Sequence, residues 1–174
     1  MTEFVRDAAA TAAIFGFFGS VWFGWAQEQP PKSWRPLLIT GSALSILTMI
    51  AGGLLVWRHW SDGTAFDEGT SKAFGVVVAI EVVLAGAGAA VLGTRGKKEL
   101  IPVWIALIVG LHLFPVAAIL GYPLIHVVAA LVTIAALAAV PVARSRSLPV
   151  SATNGVGAGA ALLAGALCSL VAAL

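Results

Sequence analysis

Charged side chains are scarce in this chain, because Asp, Glu, Lys and Arg together make up only 10% of its 174 residues. In soluble proteins the same four residue types account for about a quarter of the chain. Hydrophobic residues account for 60%, and the mean hydropathy is +0.99. This composition excludes an ordinary soluble domain and predicts a protein that resides in lipid. The net charge of +2 is too small to indicate a nucleic acid as a partner.

Cysteine is also nearly absent, since Cys168 is the single one in the chain. One cysteine excludes an internal disulfide bond and any metal site built from several cysteines. The sequence contains no phosphate-binding P-loop, no dinucleotide-binding glycine motif and no serine-nucleophile motif. We therefore expect no bound cofactor.

Six apolar stretches each approach the roughly 20 residues that a helix needs to cross ~30 Å of hydrocarbon. They lack the alternation of polar and apolar residues that is typical of outer-membrane barrel strands. The sequence thus predicts an all-α integral membrane protein, a single domain of six transmembrane helices in a compact bundle with short loops. The predicted spans are residues 8–25, 37–57, 73–93, 100–120, 124–142 and 156–174. We expect the first span to remain in the mature protein, because its flank lacks the basic region of a cleavable signal peptide.

Basic residues are divided unevenly between the two ends of the predicted bundle. The first, third and fifth connections hold seven of them, and the opposite end holds the other three, Arg6, Arg58 and Lys72. Loops rich in Lys and Arg stay in the cytoplasm. The uneven distribution therefore predicts that both termini are extracytoplasmic. The seven basic residues are Lys32, Arg35, Arg95, Lys97, Lys98, Arg144 and Arg146.

Glu81 lies in the middle of the third apolar stretch, AFGVVVAIEVVLAGAGAAVLG. An ionisable side chain at that depth costs a few kcal/mol on insertion scales, so it needs a partner, a water-filled pocket or a function. Ala85 and Gly88 follow it on the same helical stripe. Because small residues let helices approach closely, we expect this stripe to face a neighbouring helix.

His112 is the predicted partner of Glu81. Measured from Lys72, Glu81 lies about 9 residues or ~14 Å inward, and His112 lies about 8 residues or ~12 Å from the same end of the fourth helix. The short connection TRGKKE makes these helices antiparallel neighbours, so the two side chains can touch if both rotate toward the shared seam. Pro115 lacks an amide hydrogen, and we expect it to kink the fourth helix and to free the carbonyl of Leu111 beside His112.

Three further residues are expected in the same half of the bundle as this pair: His126, Arg6 and Asp7. Together with Glu81 and His112 they are the candidate residues for binding a proton or a substrate. The alternative is structural: His126 as an exposed or packing residue, Arg6 and Asp7 as an interfacial flank, and the Glu–His pair as a link between helices. A zinc site is disfavoured because the spacing matches no metal motif and because Glu81 and His126 lie at different depths.

The segment from Glu99 to Tyr122, ELIPVWIALIVGLHLFPVAAILGY, resembles a pattern found in small uncharacterised bacterial multi-span membrane proteins. In that pattern an apolar helix carries the core G-L-H-F-x-P-L-A, which Gly110, Leu111, His112, Pro115 and Ala117 match here. The helix before it often carries an acidic residue, as Glu81 does. The resemblance implies a joint role for His112 and Pro115, and it implies no assigned activity or substrate. We expect the protein to be an integral protein of a bacterial plasma membrane.

Two functions fit these residues. One is a small transporter or channel-like protein that binds a proton, a cation or a small solute in a polar pocket of the outer half. The other is a membrane-embedded enzyme acting on a lipid or isoprenoid, with Glu81 as general acid or base. A closed bundle without a cavity would leave a structural role. The expected partners are membrane lipid and a ligand that is a small polar solute, an ion or a lipid. We also expect a second copy of the chain as a partner, because six helices are few for an alternating-access transporter.

Overall fold

The fold is given by a computed structural model that describes residues 4–174, and within that range it contains helices and no strands. The six α-helices are α1 (Val5–Trp25), α2 (Arg35–Arg58), α3 (Glu68–Thr94), α4 (Ile101–Leu120), α5 (Pro123–Ser145) and α6 (Val150–Ala172). Short 3₁₀ turns, Lys32–Trp34 and Lys98–Leu100, precede α2 and α4. Each of the six helices is long and apolar enough to cross a membrane. The predicted all-α integral membrane fold with six helices is confirmed.

Prolines and one glycine set several helix boundaries. α2, α4 and α5 each have a proline in the first turn, where its missing amide hydrogen would be unpaired in any case. Gly121 ends α4 with a φ of 58°, in the left-handed region that glycine adopts without strain. α6 begins six residues before its predicted span, at Val150. Two polar side chains in its first turns are hydrogen-bonded: Thr153 donates to the Pro149 carbonyl, and Asn154 donates to the Pro102 carbonyl.

α6 lies at the centre of the bundle and packs against α1, α2, α4 and α5. α1 also packs against α2, and α4 also packs against α5. Among the helices in the described part of the chain, α3 packs against α4 alone and has no buried residue. α3 therefore stands at the edge of the bundle, and no helix lies directly between it and α1.

The two ends of the bundle differ in what they carry. Short connections join the helices, so consecutive helices that pack together run antiparallel. We call the end with the start of α1, the α2–α3 loop, the α4–α5 turn and the end of α6 the termini face. The other three connections form the basic face, which holds the seven basic residues named above.

Glycines allow the closest helix contacts. A Cβ on Gly16 would lie 2.7 Å from the Met49 nitrogen of α2, and a Cβ on Gly52 would lie 2.7 Å from the Ala13 nitrogen of α1. α6 approaches α1 in the same way, since a Cβ on Gly155 would lie 2.6 Å from the Trp22 carbonyl oxygen. Gly159 packs against the Phe23 ring. The α6 glycines therefore serve close packing within one chain.

Asp67 caps the first turn of α3. Its Oδ1 accepts a hydrogen bond of 2.7 Å from the Thr70 amide. This hydrogen bond lowers the pKa of the Asp67 carboxyl below its ordinary value. Because the pKa is lowered in the folded state, the cap stabilises α3 above the ordinary pKa, and its contribution is lost as the pH falls through the lowered value.

We expect Gly52→Ala to destabilise the protein, because the added methyl group would overlap the backbone of α1 at Ala9 and Ala13. Overpacking of this kind lowers the free energy of unfolding by about 1–3 kcal/mol. Gly53→Ala is the matched control, since nothing lies within 4 Å of a Cβ at that position. The melting temperatures of the detergent-purified variants are compared. Each sample is heated, and size-exclusion chromatography measures the fraction that remains folded. Equal melting temperatures for the two variants would contradict the close α1–α2 packing.

Candidate functional site

Glu81 and His112 meet at the seam between α3 and α4. The His112 Nε2 lies 3.4 Å from the Glu81 Oε2, so the two side chains make the contact that depth and connectivity permit. Glu81 is at the midpoint of α3, and His112 lies in the second half of α4. Their side chains are 19% and 16% exposed, respectively. The pair is thus largely enclosed, but each member keeps some accessible surface.

The seam between α3 and α4 explains why the two side chains reach each other. Gly88 lies two turns beyond Glu81 and faces Trp104 of α4, whose indole ring would overlap a Cβ at that position. The Trp104 Nε1–H donates a hydrogen bond of 3.0 Å to the Leu84 carbonyl oxygen. These contacts hold the Glu81 stripe of α3 against α4, so the predicted orientation of that stripe is confirmed.

The second ring nitrogen of His112 points into its own helix. This Nδ1 atom is buried and makes no well-aligned hydrogen bond with any residue in the described part of the chain, although the backbone of Ile108 and Val109 lies near the ring. α4 remains helical across Pro115, one turn further on. The kink at Pro115 and the release of the Leu111 carbonyl stay predictions.

A groove runs between α1 and α3 on one side of the Glu–His pair. It has a volume of about 300 Å³, and its floor is formed by α4 and by Leu162 of α6. Among the described residues that line it, Glu81 and His112 are the only polar ones. The remaining lining residues are Ile14, Phe15, Phe18, Phe74, Val78, Val109, Leu113 and Leu162. We call this space the α1–α3 groove.

Two smaller cavities adjoin the same pair. On the opposite side of the α3–α4 seam, a cavity of about 240 Å³ is lined by Glu81, His112 and Pro115 together with apolar residues of both helices. Toward the termini face, a cavity of about 110 Å³ extends from His112 to Asp7 and passes beneath Phe66. His112 lines all three cavities, and Glu81 lines two of them.

Asp7 holds the α2–α3 loop across the start of α1. Its Oδ1 accepts a hydrogen bond of 2.6 Å from the Thr64 hydroxyl, and its Oδ2 accepts one of 2.7 Å from the Ala65 amide. Arg6 reinforces the link, since its Nη1 donates to the Trp60 carbonyl at 2.7 Å and its guanidinium lies 5.5 Å from the Trp60 ring centroid. Both residues therefore act on this loop, and Asp7 also lines the cavity that His112 reaches.

His126 lies elsewhere. Its side chain is exposed, and its ring packs against Phe114 with the ring centroids 6.2 Å apart. It lines none of the three cavities described above. The structure thus brings Glu81, His112 and Asp7 to connected spaces and leaves His126 apart from them. Within residues 4–174, no group of three His, Cys, Asp or Glu side chains is placed to hold a metal ion.

Aromatic residues form much of the wall of the α1–α3 groove, and they were not among the predicted site residues. Phe15 and Phe18 of α1 and Phe74 of α3 line the groove together with Glu81. The signal in the sequence was the spacing of Asp7, Thr11, Phe15 and Phe18, which places these side chains along one face of α1. That face would have indicated an aromatic wall beside a carboxylate only once α1 and α3 were known to lie on either side of the same space.

No protein-family model matches this chain, and neither a curated protein nor a solved structure matches it. The resemblance of residues 99–122 to a helix pattern of bacterial membrane proteins therefore stays an expectation.

We expect Asp7→Ala to release the α2–α3 loop, because the Ala65 amide and the Thr64 hydroxyl would lose their acceptor. A hydrogen bond to a charged group contributes ~1.5–3 kcal/mol, so exchange of the Ala65 amide should become about tenfold faster or more. Hydrogen–deuterium exchange of the peptide covering residues 59–67 measures this change.

Asp62→Ala is the matched control in the same loop. Asp62 pairs with His59 at 2.7 Å, and both side chains are partly solvent-accessible. This substitution should leave exchange at Ala65 unchanged. If Asp7→Ala and Asp62→Ala had the same small effect, Asp7 would not be the residue that fixes the loop.

Proposed function

We propose that this protein is a small multi-pass transporter or channel-like protein in which the Glu81–His112 pair binds a proton, a cation or a small solute. The observation that carries the proposal is the position of the pair, which lies at the midpoint of α3 with a cavity on either side of the α3–α4 seam. A pair that only linked two helices would need no such space around it.

The chemistry of the Glu81–His112 pair favours the exchange of a proton or another cation. A carboxylate in hydrocarbon must be neutralised by a proton, by an imidazolium or by another cation. Imidazole is the side chain that ordinarily gains or loses a proton near neutral pH. At 3.4 Å the two side chains form an ion pair when His112 carries the proton, and the pair is broken when Glu81 takes up a proton or a different cation. Binding at Glu81 is therefore coupled to the charge of His112.

The membrane orientation is part of the proposal. The seven basic residues of the basic face favour a cytoplasmic position for that end. In this orientation the termini are extracytoplasmic in a bacterial plasma membrane, and the cavity beneath Phe66 lies in the outer half. The pair would then exchange its proton with the outer side through this cavity.

A membrane-embedded enzyme acting on a lipid or isoprenoid is the second candidate. It is favoured by the apolar lining of the α1–α3 groove, in which Glu81 would serve as general acid or base. We rank it second because the groove volume of about 300 Å³ is small for a lipid. Ligand pockets range from ~300 to 1,000 Å³. Conversion of a defined isoprenoid by the purified protein, lost in Glu81→Gln, would reverse this order.

Proton movement in proteoliposomes tests the proposal. A pH-sensitive dye trapped inside the vesicles follows the decay of an imposed pH gradient in buffers that contain Na⁺, K⁺ or tetramethylammonium in turn. We expect decay faster than in protein-free vesicles in at least one buffer, and we expect Glu81→Gln to return the rate to that of protein-free vesicles. His112→Gln should slow it several-fold, because the carboxylate loses its neighbouring proton carrier.

Glu68→Gln is the control, because Glu68 is an exposed carboxylate paired with Lys72 at the start of the same helix. It should keep the wild-type rate. The proposal fails if Glu81→Gln moves protons as fast as the wild-type protein, or if no buffer gives a rate above that of protein-free vesicles.

A further inference from the structure

The α1–α3 groove is open on the side that faces lipid. Within the described chain α3 packs against α4 alone, so no helix closes the space between α3 and α1. Phe18 stands at the opening and is 46% exposed. It lies near the middle of α1, at the level of the hydrocarbon. A molecule that enters the groove here must therefore arrive through the bilayer, and it needs an apolar surface to do so.

Entry to the groove from the termini face is obstructed by the α2–α3 loop. The α2–α3 loop lies across the termini end of the groove, where Phe66 and Phe74 pack edge to face with ring centroids 5.3 Å apart. Asp7 fixes Thr64 and Ala65 of this loop. Entry from lipid is thus less obstructed than entry past the loop.

The charges that line the groove favour a cationic ligand. Among the described residues that line the groove or its extension toward the termini face, the titratable ones are Glu81, His112 and Asp7. Both oxygens of Asp7 already accept hydrogen bonds from the loop. The described part of the lining includes no Lys or Arg, so an anion would find only the imidazole there. A cation would find the Glu81 carboxylate.

The aromatic residues of the groove favour an organic cation over an inorganic one. Phe15, Phe18 and Phe74 line the same groove as Glu81. Aromatic rings attract cations through the negative potential of their faces, and they also offer apolar contact area. A small hydrated inorganic ion uses neither property. The volume of about 300 Å³ suits a compact molecule with a few rings or short chains.

We infer that the α1–α3 groove binds a monovalent, lipophilic organic cation that enters from the bilayer and replaces the proton on Glu81. This inference rests on the proposed function and names its substrate class. The exchange is balanced in charge and atoms: the Glu81 carboxyl group loses a proton to solvent, the carboxylate pairs with the cation, and no other bond forms or breaks. The net charge of the site is the same before and after the exchange.

Tetraphenylphosphonium and tetraphenylborate are the matched probes, since they have similar size and apolar surface and opposite charge. Binding to the purified full-length protein in detergent is measured by isothermal titration calorimetry, and proton release is followed with a dye in weak buffer. We expect tetraphenylphosphonium to bind at a saturable site with release of a proton. Tetraphenylborate should bind at least about tenfold more weakly, because it meets a carboxylate instead of a positive charge.

Two pairs of variants locate the site. Glu81→Gln should weaken tetraphenylphosphonium binding by about tenfold or more and abolish proton release, because the fixed negative charge is gone. Glu68→Gln, at the exposed start of α3, should change neither. Phe18→Ala should weaken binding about threefold or more. Phe114→Ala is its control, since Phe114 is 37% exposed and lines none of the cavities beside the Glu–His pair.

The outcomes separate this inference from the proposed function. Equal binding of the two probes, or equal binding of tetraphenylphosphonium to the wild-type protein and to folded Glu81→Gln, overturns the inference and leaves only an apolar groove. If Glu81→Gln does not fold, two other comparisons test the inference: the binding of the two probes to the wild-type protein, and the binding of tetraphenylphosphonium to Phe18→Ala and Phe114→Ala. If tetraphenylphosphonium does not bind while proton movement still requires Glu81, the substrate class is wrong and the proposed function stands. If tetraphenylphosphonium does not bind and proton movement does not require Glu81, both the inference and the proposed function are wrong.

Discussion

Hydrocarbon offers no hydrogen bonds, so a carboxyl group at the middle of a transmembrane helix must find its polar partner inside the protein. Glu81 meets this constraint through His112, whose Nε2 lies 3.4 Å from its carboxylate. The contact requires α4 to lie close against one stripe of α3. Gly88 makes the approach possible, and the hydrogen bond from Trp104 to the Leu84 carbonyl fixes it. The position of α3 in the bundle follows from this seam.

The rest of the site is a consequence of how α3 is attached. Because α3 packs against α4 and against no other helix of the described chain, a groove is left between it and α1. The α2–α3 loop spans this gap at the termini face, where Asp7 accepts hydrogen bonds from Thr64 and Ala65. The groove is therefore bounded at one end, apolar along its walls and open toward lipid. Among the residues that the structure describes, its lining has one carboxylate and one imidazole, which lie beside each other.

Depth along a helix can be predicted from sequence, whereas the rotation of a helix can be predicted only where a pattern marks one of its faces. Glu81 and His112 lie at similar depths on helices joined by a short connection, so their contact was permitted, and the small residues of the stripe that includes Gly88 indicated which face of α3 meets a neighbour. His126 lies in the same half of the bundle, but the rotation of α5 about its axis directs its ring to Phe114. The contacts of Asp7 join residues more than fifty positions apart through a loop whose path no local pattern specifies. The groove itself results from a missing α1–α3 contact, which leaves no signal in either helix.

The proposed function requires Glu81 and His112 to act as one coupled pair, and nuclear magnetic resonance of the His112 ring nitrogens tests this coupling most directly. Protein with ¹⁵N-labelled histidine, reconstituted in lipid, is titrated with and without Glu81→Gln, and the His112 signal is assigned by its loss in His112→Gln. His59 and His126 serve as internal references, since His59 pairs with Asp62 and His126 packs against Phe114. We expect the His112 titration curve to change when Glu81 is replaced, while the other two curves stay the same. Identical His112 curves in the two proteins would contradict the account.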